Sequence, residues 1–205
     1  AIVGCEVYVA PLGAQNKSSK DNRSGRHLIL LAKNIKGYRN LSTLVSTGFQ
    51  AENFYYTPRV DMDILRKYSE GLIACSACLG GALPQSIMRY NTVGKDGRFS
   101  EPFDLQDAEE VIKEYLDIFG DDYYLEMQNH GHPEQIMVNK AIIQLSEKFN
   151  IPYIATNDVH FVNQFDFEAH KILLCINTGR DYTSPDSAVQ ESENENGLLY
   201  TGEEF

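Results

Sequence analysis

A largely parallel α/β sheet or barrel is the fold this sequence predicts, on three observations. Short apolar runs rich in β-branched residues recur along the chain. Stretches with apolar residues at helical spacing separate them, and Gly or Asn closes several of those stretches. Strands alternating with helices in this way build sheets whose strands run mostly parallel.

Residues 2–10 form the first apolar run, and a Gly-, Ser-, Lys- and Asn-rich link over 13–25 reads as a mobile connection. The second strand is predicted over 27–32. A helix then opens at Gly37, with Leu41, Leu44 and Val45 on one face. The third strand covers 71–75, with Gly80-Gly81 soon after, and a short helix covers 84–90. Gly94, Asp96-Gly97 and Pro102 make 91–102 a loop. Asp104 or Asp107 should cap a helix running through Val111, Ile112, Tyr115 and Leu116 to Gly120. A fourth strand is predicted over 123–127, and a helix over 134–149 is stopped by Asn150. The fifth strand is predicted to run through Ala155 into Asp158-Val159-His160. A helix follows through Glu168 to Cys175, with Asp166 near its start.

Composition narrows the function. The 205 residues, 42% hydrophobic and 23% charged, suffice for one substantial core. No apolar stretch is long enough to span a bilayer and no secretory leader is evident, so a cytoplasmic protein without a membrane partner is expected. A net charge of −11 argues against tight binding to nucleic acid by this chain alone, because phosphate neutralisation supplies most of such affinity. The chain enters a strand at once with Ala1-Ile2-Val3-Gly4, which reads as a fragment. Its four cysteines are unevenly spaced and suit a reducing compartment better than a disulfide framework. Cys75-Ser76-Ala77-Cys78 lacks the second pair of a structural zinc site. The Gly80-Gly81 after it suits a turn better than the helix of a redox motif.

Several residues that can do chemistry fall at or near strand ends, where α/β proteins build sites. On a strand, Asp158 and His160 would point to one face, as a carboxylate beside an imidazole suited to a divalent metal. A helix-capping Asp next to a surface His is the plainer use of the pair. Glu6 lies among apolar residues in the first strand, either solvated on one face or paired with a cation. His27 begins its strand, so it reaches the same end only if the first two strands form an antiparallel hairpin. Cys78 and His130 lie just past the third and fourth strands; a buried inert thiol and a turn histidine packed on Pro133 are their plainer readings. His170 falls within a helix, where packing is favoured, and His132 before Pro133 should be exposed.

At these residues the chain resembles, nearly end to end, the PHP domain of bacterial DNA polymerase III alpha subunits. Gly4-Cys5-Glu6-Val7-Tyr8-Val9 is similar to an early strand motif of that family. His27 to Asn34, followed by Gly37-Tyr38-Arg39-Asn40-Leu41, is similar to a very specific block. Further matches are Gly71-Leu72-Ile73 leading to Cys78-Leu79-Gly80-Gly81, Gln128-Asn129-His130-Gly131, and Ala155-Thr156-Asn157-Asp158-Val159-His160.

The resemblance implies a distorted (β/α)7 barrel with up to three divalent ions, zinc, manganese or magnesium, at the strand ends. It carries metal-ligand roles to Glu6, His27, Cys78, Asp158 and His160, with His130 ranked below those five. The implied function is part of a replicative polymerase subunit bearing a metal-dependent phosphoesterase, or 3′–5′ exonuclease, site. Alternatives are a structural domain that braces the polymerase and docks a proofreading nuclease, and a free-standing phosphatase. The implied partners are DNA, through the full-length polymerase, and other replicase subunits.

The family's opening His-x-His and Asp-His motifs are absent, since no His precedes His27. Ala82, where the family often has an acidic residue, is a lesser departure. The expectation is therefore a partial PHP domain over 1–180 and an acidic linker over 181–205. Its metal site should be incomplete, its own activity negligible, and its exposed strand edges prone to self-association.

Overall fold

The computed structural model describes residues 1–18, 22–23 and 25–178. The acidic segment 181–205, read above as a linker toward a polymerase core, lies outside the described residues. The fold is mixed α/β. Its strands are β1 (Gly4–Val9), β2 (Arg26–Ala32), β3 (Arg59–Val60), β4 (Leu72–Cys75), β5 (Tyr123–Met127) and β6 (Tyr153–Ala155). They lie in the order β3-β1-β2-β4-β5-β6. β1 and β2 are antiparallel, with Tyr8 opposite His27 and Glu6 opposite Ile29. β2 is also antiparallel to β4, whereas the β1–β3, β4–β5 and β5–β6 pairs are parallel. Only β2 therefore opposes the common direction among these strands. The antiparallel hairpin on which the position of His27 depends is present.

Helices α1 (Ile35–Gly48), α2 (Met62–Tyr68), α3 (Ala82–Tyr90), α4 (Gln106–Phe119), α5 (Pro133–Phe149) and α6 (Phe167–Thr178) connect or follow the strands. Their apolar residues recur three and four apart, so each long helix presents one stripe. Leu41 and Leu44 of α1, Ile112 and Tyr115 of α4, and Val138, Ile142 and Leu145 of α5 join Leu28, Leu30, Leu72 and Leu125 of the sheet in one core. Asn150 adopts the left-handed conformation that ends α5, and its amide donates to the Ser146 carbonyl.

The block from Asn34 to Asn40 fastens α1 to the turn before β4. Asn34 caps the helix by accepting from the Gly37 amide at 3.0 Å, and Asn40 Nδ2 donates to the Glu70 carbonyl at 2.8 Å. A Cβ on Gly37 would lie 1.8 Å from the Gly71 carbonyl oxygen, so only glycine permits this backbone approach.

Three local expectations differ from what is observed. The two-residue strand β3 and helix α2 were not predicted; β3 contains Arg59, which breaks any apolar signature. Helix α4 starts after Leu105 without a side-chain cap. Asp104 instead accepts from the Gln106 amide at 3.3 Å, and Asp107 pairs with Arg89 at 2.7 Å. The link after β1 is held in its described part. Asn22 is fully buried, and the guanidinium of Arg59, also fully buried, donates to the carbonyls of Ala14, Asn16, Asn22 and Asn53. Arg59 thus ties the polar link to β3.

Replacing Arg59 with Met keeps the apolar stem but leaves four carbonyls without this donor. Urea unfolding is expected to show a loss of about 3–5 kcal/mol, at roughly 1 kcal/mol per carbonyl. A loss below about 1 kcal/mol would contradict the role given to Arg59.

Candidate metal centre

The β1–β2 register puts Glu6, Tyr8 and His27 on one face of the hairpin, with Glu6 and His27 diagonal to one another. His27 Nδ1 lies 2.9 Å from Glu6 Oε1, and the Tyr8 ring meets the imidazole edge-on at a centroid distance of 5.0 Å. Glu6 keeps one side open to solvent while its carboxylate meets His27. The backbone of His27 is fixed by donation to the Gly80 carbonyl at 3.0 Å. That bond brings the turn after β4 over the imidazole, and a Cβ on Gly80 would lie 2.9 Å from His27 Nδ1.

The same turn carries Cys78, whose Sγ is 3.4 Å from His27 Nδ1. Its thiol also hydrogen bonds to the Asp158 carboxylate. Burial first, then the charges of Asp158 and Glu6, push the Cys78 thiol far above the ordinary cysteine range, against a smaller opposite effect of the Gly80 backbone. Cys75, the other member of the Cys-x-x-Cys, is buried in β4. Its thiol is pushed up to about 12 by burial and by the charge of Glu126. Neither environment resembles that of a low-pKa redox thiol.

Asp158 and His160 meet, but not as two side chains on one strand. β6 ends at Ala155, and Asp158 sits beyond it with φ at +45° in the left-handed region. The turn, rather than strand alternation, brings Asp158 Oδ2 to 3.6 Å from His160 Nε2. Burial pushes the Asp158 carboxyl up. The hydrogen bond and charge of His160, assisted by His130 and the Cys78 thiol, outweigh this and hold it below its ordinary value. The imidazole of His170 packs against the rings of His160 and Phe161 at 5.8 and 5.5 Å.

Glu6, His27, Cys78, Asp158 and His160 therefore form one chain of contacts drawn from four segments of sequence. His130 is adjacent rather than in the chain. It is buried, and its Nε2 lies 2.8 Å from the Asn157 carbonyl. One residue escaped sequence reading: Glu126, buried at 6% exposure in β5. It accepts from the Ala77 amide at 2.5 Å and from the Thr156 hydroxyl. Burial pushes its carboxyl up, partly offset by those two hydrogen bonds. The signal that could have found it is the one used for Glu6, a carboxylate among apolar strand residues.

Two imidazoles, a thiol and two carboxylates are donor types that suit a borderline divalent ion. As placed, they contact each other, with His27 Nδ1 facing both Glu6 and Cys78. Among the described residues, no three His, Cys, Asp or Glu side chains are arranged to hold an ion. The chemistry of the donor set fits a metal, and its enclosure is incomplete.

The sequence model for the PHP domain matches residues 1–130. The chain belongs to the PHP domain family. DNA polymerase III subunit alpha from Borreliella burgdorferi is 42% identical over 179 residues, 87% of this chain and 14% of that protein. The Treponema pallidum subunit alpha is 42% identical over 187 residues, covering 90% of this chain and 15% of the relative. That from Thermus aquaticus is 39% identical over 192 residues, 90% of this chain and 14% of the relative. The chain thus spans about one seventh of the length of these relatives. Among its described residues, no helix is long and apolar enough to cross a membrane.

The thiol environments give a direct test in chelator. At pH 8, Cys78 is expected to react with iodoacetamide at least tenfold more slowly than a free cysteine, as read by peptide mass spectrometry, because burial and two carboxylates keep it protonated. Labelling at the free-cysteine rate would show that this electrostatic description is wrong.

Proposed function

We propose that this PHP domain is part of a replicative DNA polymerase alpha subunit and carries part of a metal-dependent phosphoesterase site acting as a 3′–5′ exonuclease. Glu6, His27, Cys78, Asp158 and His160 are the residues that would hold divalent cations. The observation that carries the reading is their single chain of contacts, running from 2.9 Å at Glu6–His27 to 3.6 Å at Asp158–His160. The size and subunit identity of the relatives support the polymerase context. In that context we also propose closure of the sheet into a distorted (β/α)7 barrel, a cytoplasmic location, and DNA and other replicase subunits as partners.

Bound cations would supply an activated water and neutralise charge on the phosphate and leaving oxygen. The chain's own residues prepare for them. His160 keeps Asp158 ionised, so its carboxylate is available as an anionic donor. Glu6 orients His27. The Cys78 proton, held beside Asp158 and His27, has to leave before its sulfur can bind a metal.

A second reading is a structural domain that braces the polymerase and docks a separate proofreading nuclease. It is favoured by the absence, among the described residues, of three donors enclosing an ion. Cleavage of single-stranded DNA from its 3′ end by the full-length protein, in manganese or zinc, separates the two. Asp158→Ala is expected to lower that cleavage about 100-fold or more while leaving DNA synthesis intact. Unchanged cleavage, or none in the unmutated protein, favours the structural reading. The 205-residue chain alone is expected to cleave negligibly, and Asp158-dependent digestion by it would contradict that expectation.

A further inference from the structure

Glu126, Gln128 and His130 are alternate residues of β5 and its extension, and all three are buried. Each reaches a turn that bears a proposed ligand. The Glu126 carboxylate accepts from the Ala77 amide, next to Cys78, and from the Thr156 hydroxyl, two residues before Asp158. Gln128 Nε2 donates to Thr156 Oγ1 at 3.2 Å. His130 reaches the Asn157 carbonyl, next to Asp158.

The two turns need such support. Ala77 has φ at +62°, which is costly for a residue with a plain Cβ, and Asp158 has φ at +45°, which aspartate tolerates better but does not favour over ordinary backbone. The Ser76 hydroxyl accepts from the Glu126 amide at 2.8 Å, so Glu126 grips the Cys78 turn through both backbone and side chain. The protonation pattern of His130 follows from Gln135. The Gln135 carbonyl accepts from the His130 amide at 2.7 Å, so its NH2 group donates to Nδ1 at 2.9 Å. The ring hydrogen therefore sits on Nε2 and is donated to the Asn157 carbonyl at 2.8 Å. Both ring nitrogens are occupied by protein partners.

We infer that Glu126 and His130 are positioning residues that hold the Cys78 and Asp158 turns in mutual register, with Glu126 spanning the two, and that His130 serves the site this way rather than as a ligand. The purpose of that register rests on the metal-site reading above; the mechanical role does not.

Two measurements on the full chain test it. In amide hydrogen exchange, Glu126→Ala is expected to accelerate exchange at Ala77 and across residues 156–158 by about tenfold or more. His130→Ala should do so across 157–160, with the amides of α5 unchanged in both. No selective acceleration in either variant overturns the inference, whatever the metal result.

In a cobalt(II) titration followed by the thiolate charge-transfer band, both alanine variants should weaken binding about 10–100-fold. Glu126→Gln, whose amide oxygen can still accept from Ala77, should stay within about threefold of the unmutated chain. Full cobalt affinity in Glu126→Ala and His130→Ala, alongside weakened binding in Asp158→Ala, overturns the positioning role and leaves the metal reading standing. Asp158→Ala without effect overturns the metal reading instead, and hydrogen exchange then decides the brace by itself.

Discussion

One strand running against its neighbours governs the geometry of this domain. Because β2 is antiparallel to both β1 and β4, its first residues lie beside the last residues of those strands. His27 is thereby carried to the end of the sheet where the turns after β4 and β6 emerge. Had β2 been parallel to β1, His27 would lie at the opposite end, far from Cys78 and Asp158. Contacts within 2.9 Å of Glu6 and 3.4 Å of Cys78 follow from that reversal and from the bond between the His27 amide and the Gly80 carbonyl.

Support for the site comes from residues that do not belong to it. Arg59 draws four carbonyls of the β1–β2 link and the α1–β3 loop onto the sheet edge, replacing water around a buried charge with protein oxygens. The Gly37–Gly71 approach sets α1 against the turn that leads into β4. Glu126 does the corresponding work beneath the turns, where a carboxylate facing two hydrogen-bond donors is better satisfied in the interior than it would be alone. Strong polar contacts placed under loops let those loops keep conformations that local sequence does not favour.

Much of this was legible from residue order. β1, β2, β4 and β5 announce themselves as apolar runs, and the stripes of α1, α4 and α5 are visible at helical spacing because hydrophobic burial imposes that period. The PHP resemblance groups Glu6, His27, Cys78, Asp158 and His160 on motif order alone. What escaped has physical reasons. β3 has two residues and a charged one, so no periodicity could mark it. Asp158 and His160 converge through a left-handed turn, which strand alternation cannot anticipate. Glu126 resembled any single acid in a strand until its partners, some 30 to 50 positions away in sequence, were in place.

We propose that Cys78, together with Glu6, His27, Asp158 and His160, donates to bound divalent cations in the intact protein. Zinc-edge X-ray absorption on the zinc-loaded full-length protein tests it most directly, because sulfur and oxygen or nitrogen scatterers separate by distance. The expected spectrum contains a sulfur shell at about 2.3 Å beside nitrogen and oxygen at about 2.0 Å, with the sulfur shell lost in Cys78→Ser. A spectrum with only nitrogen and oxygen shells, unchanged by Cys78→Ser, would contradict the claim.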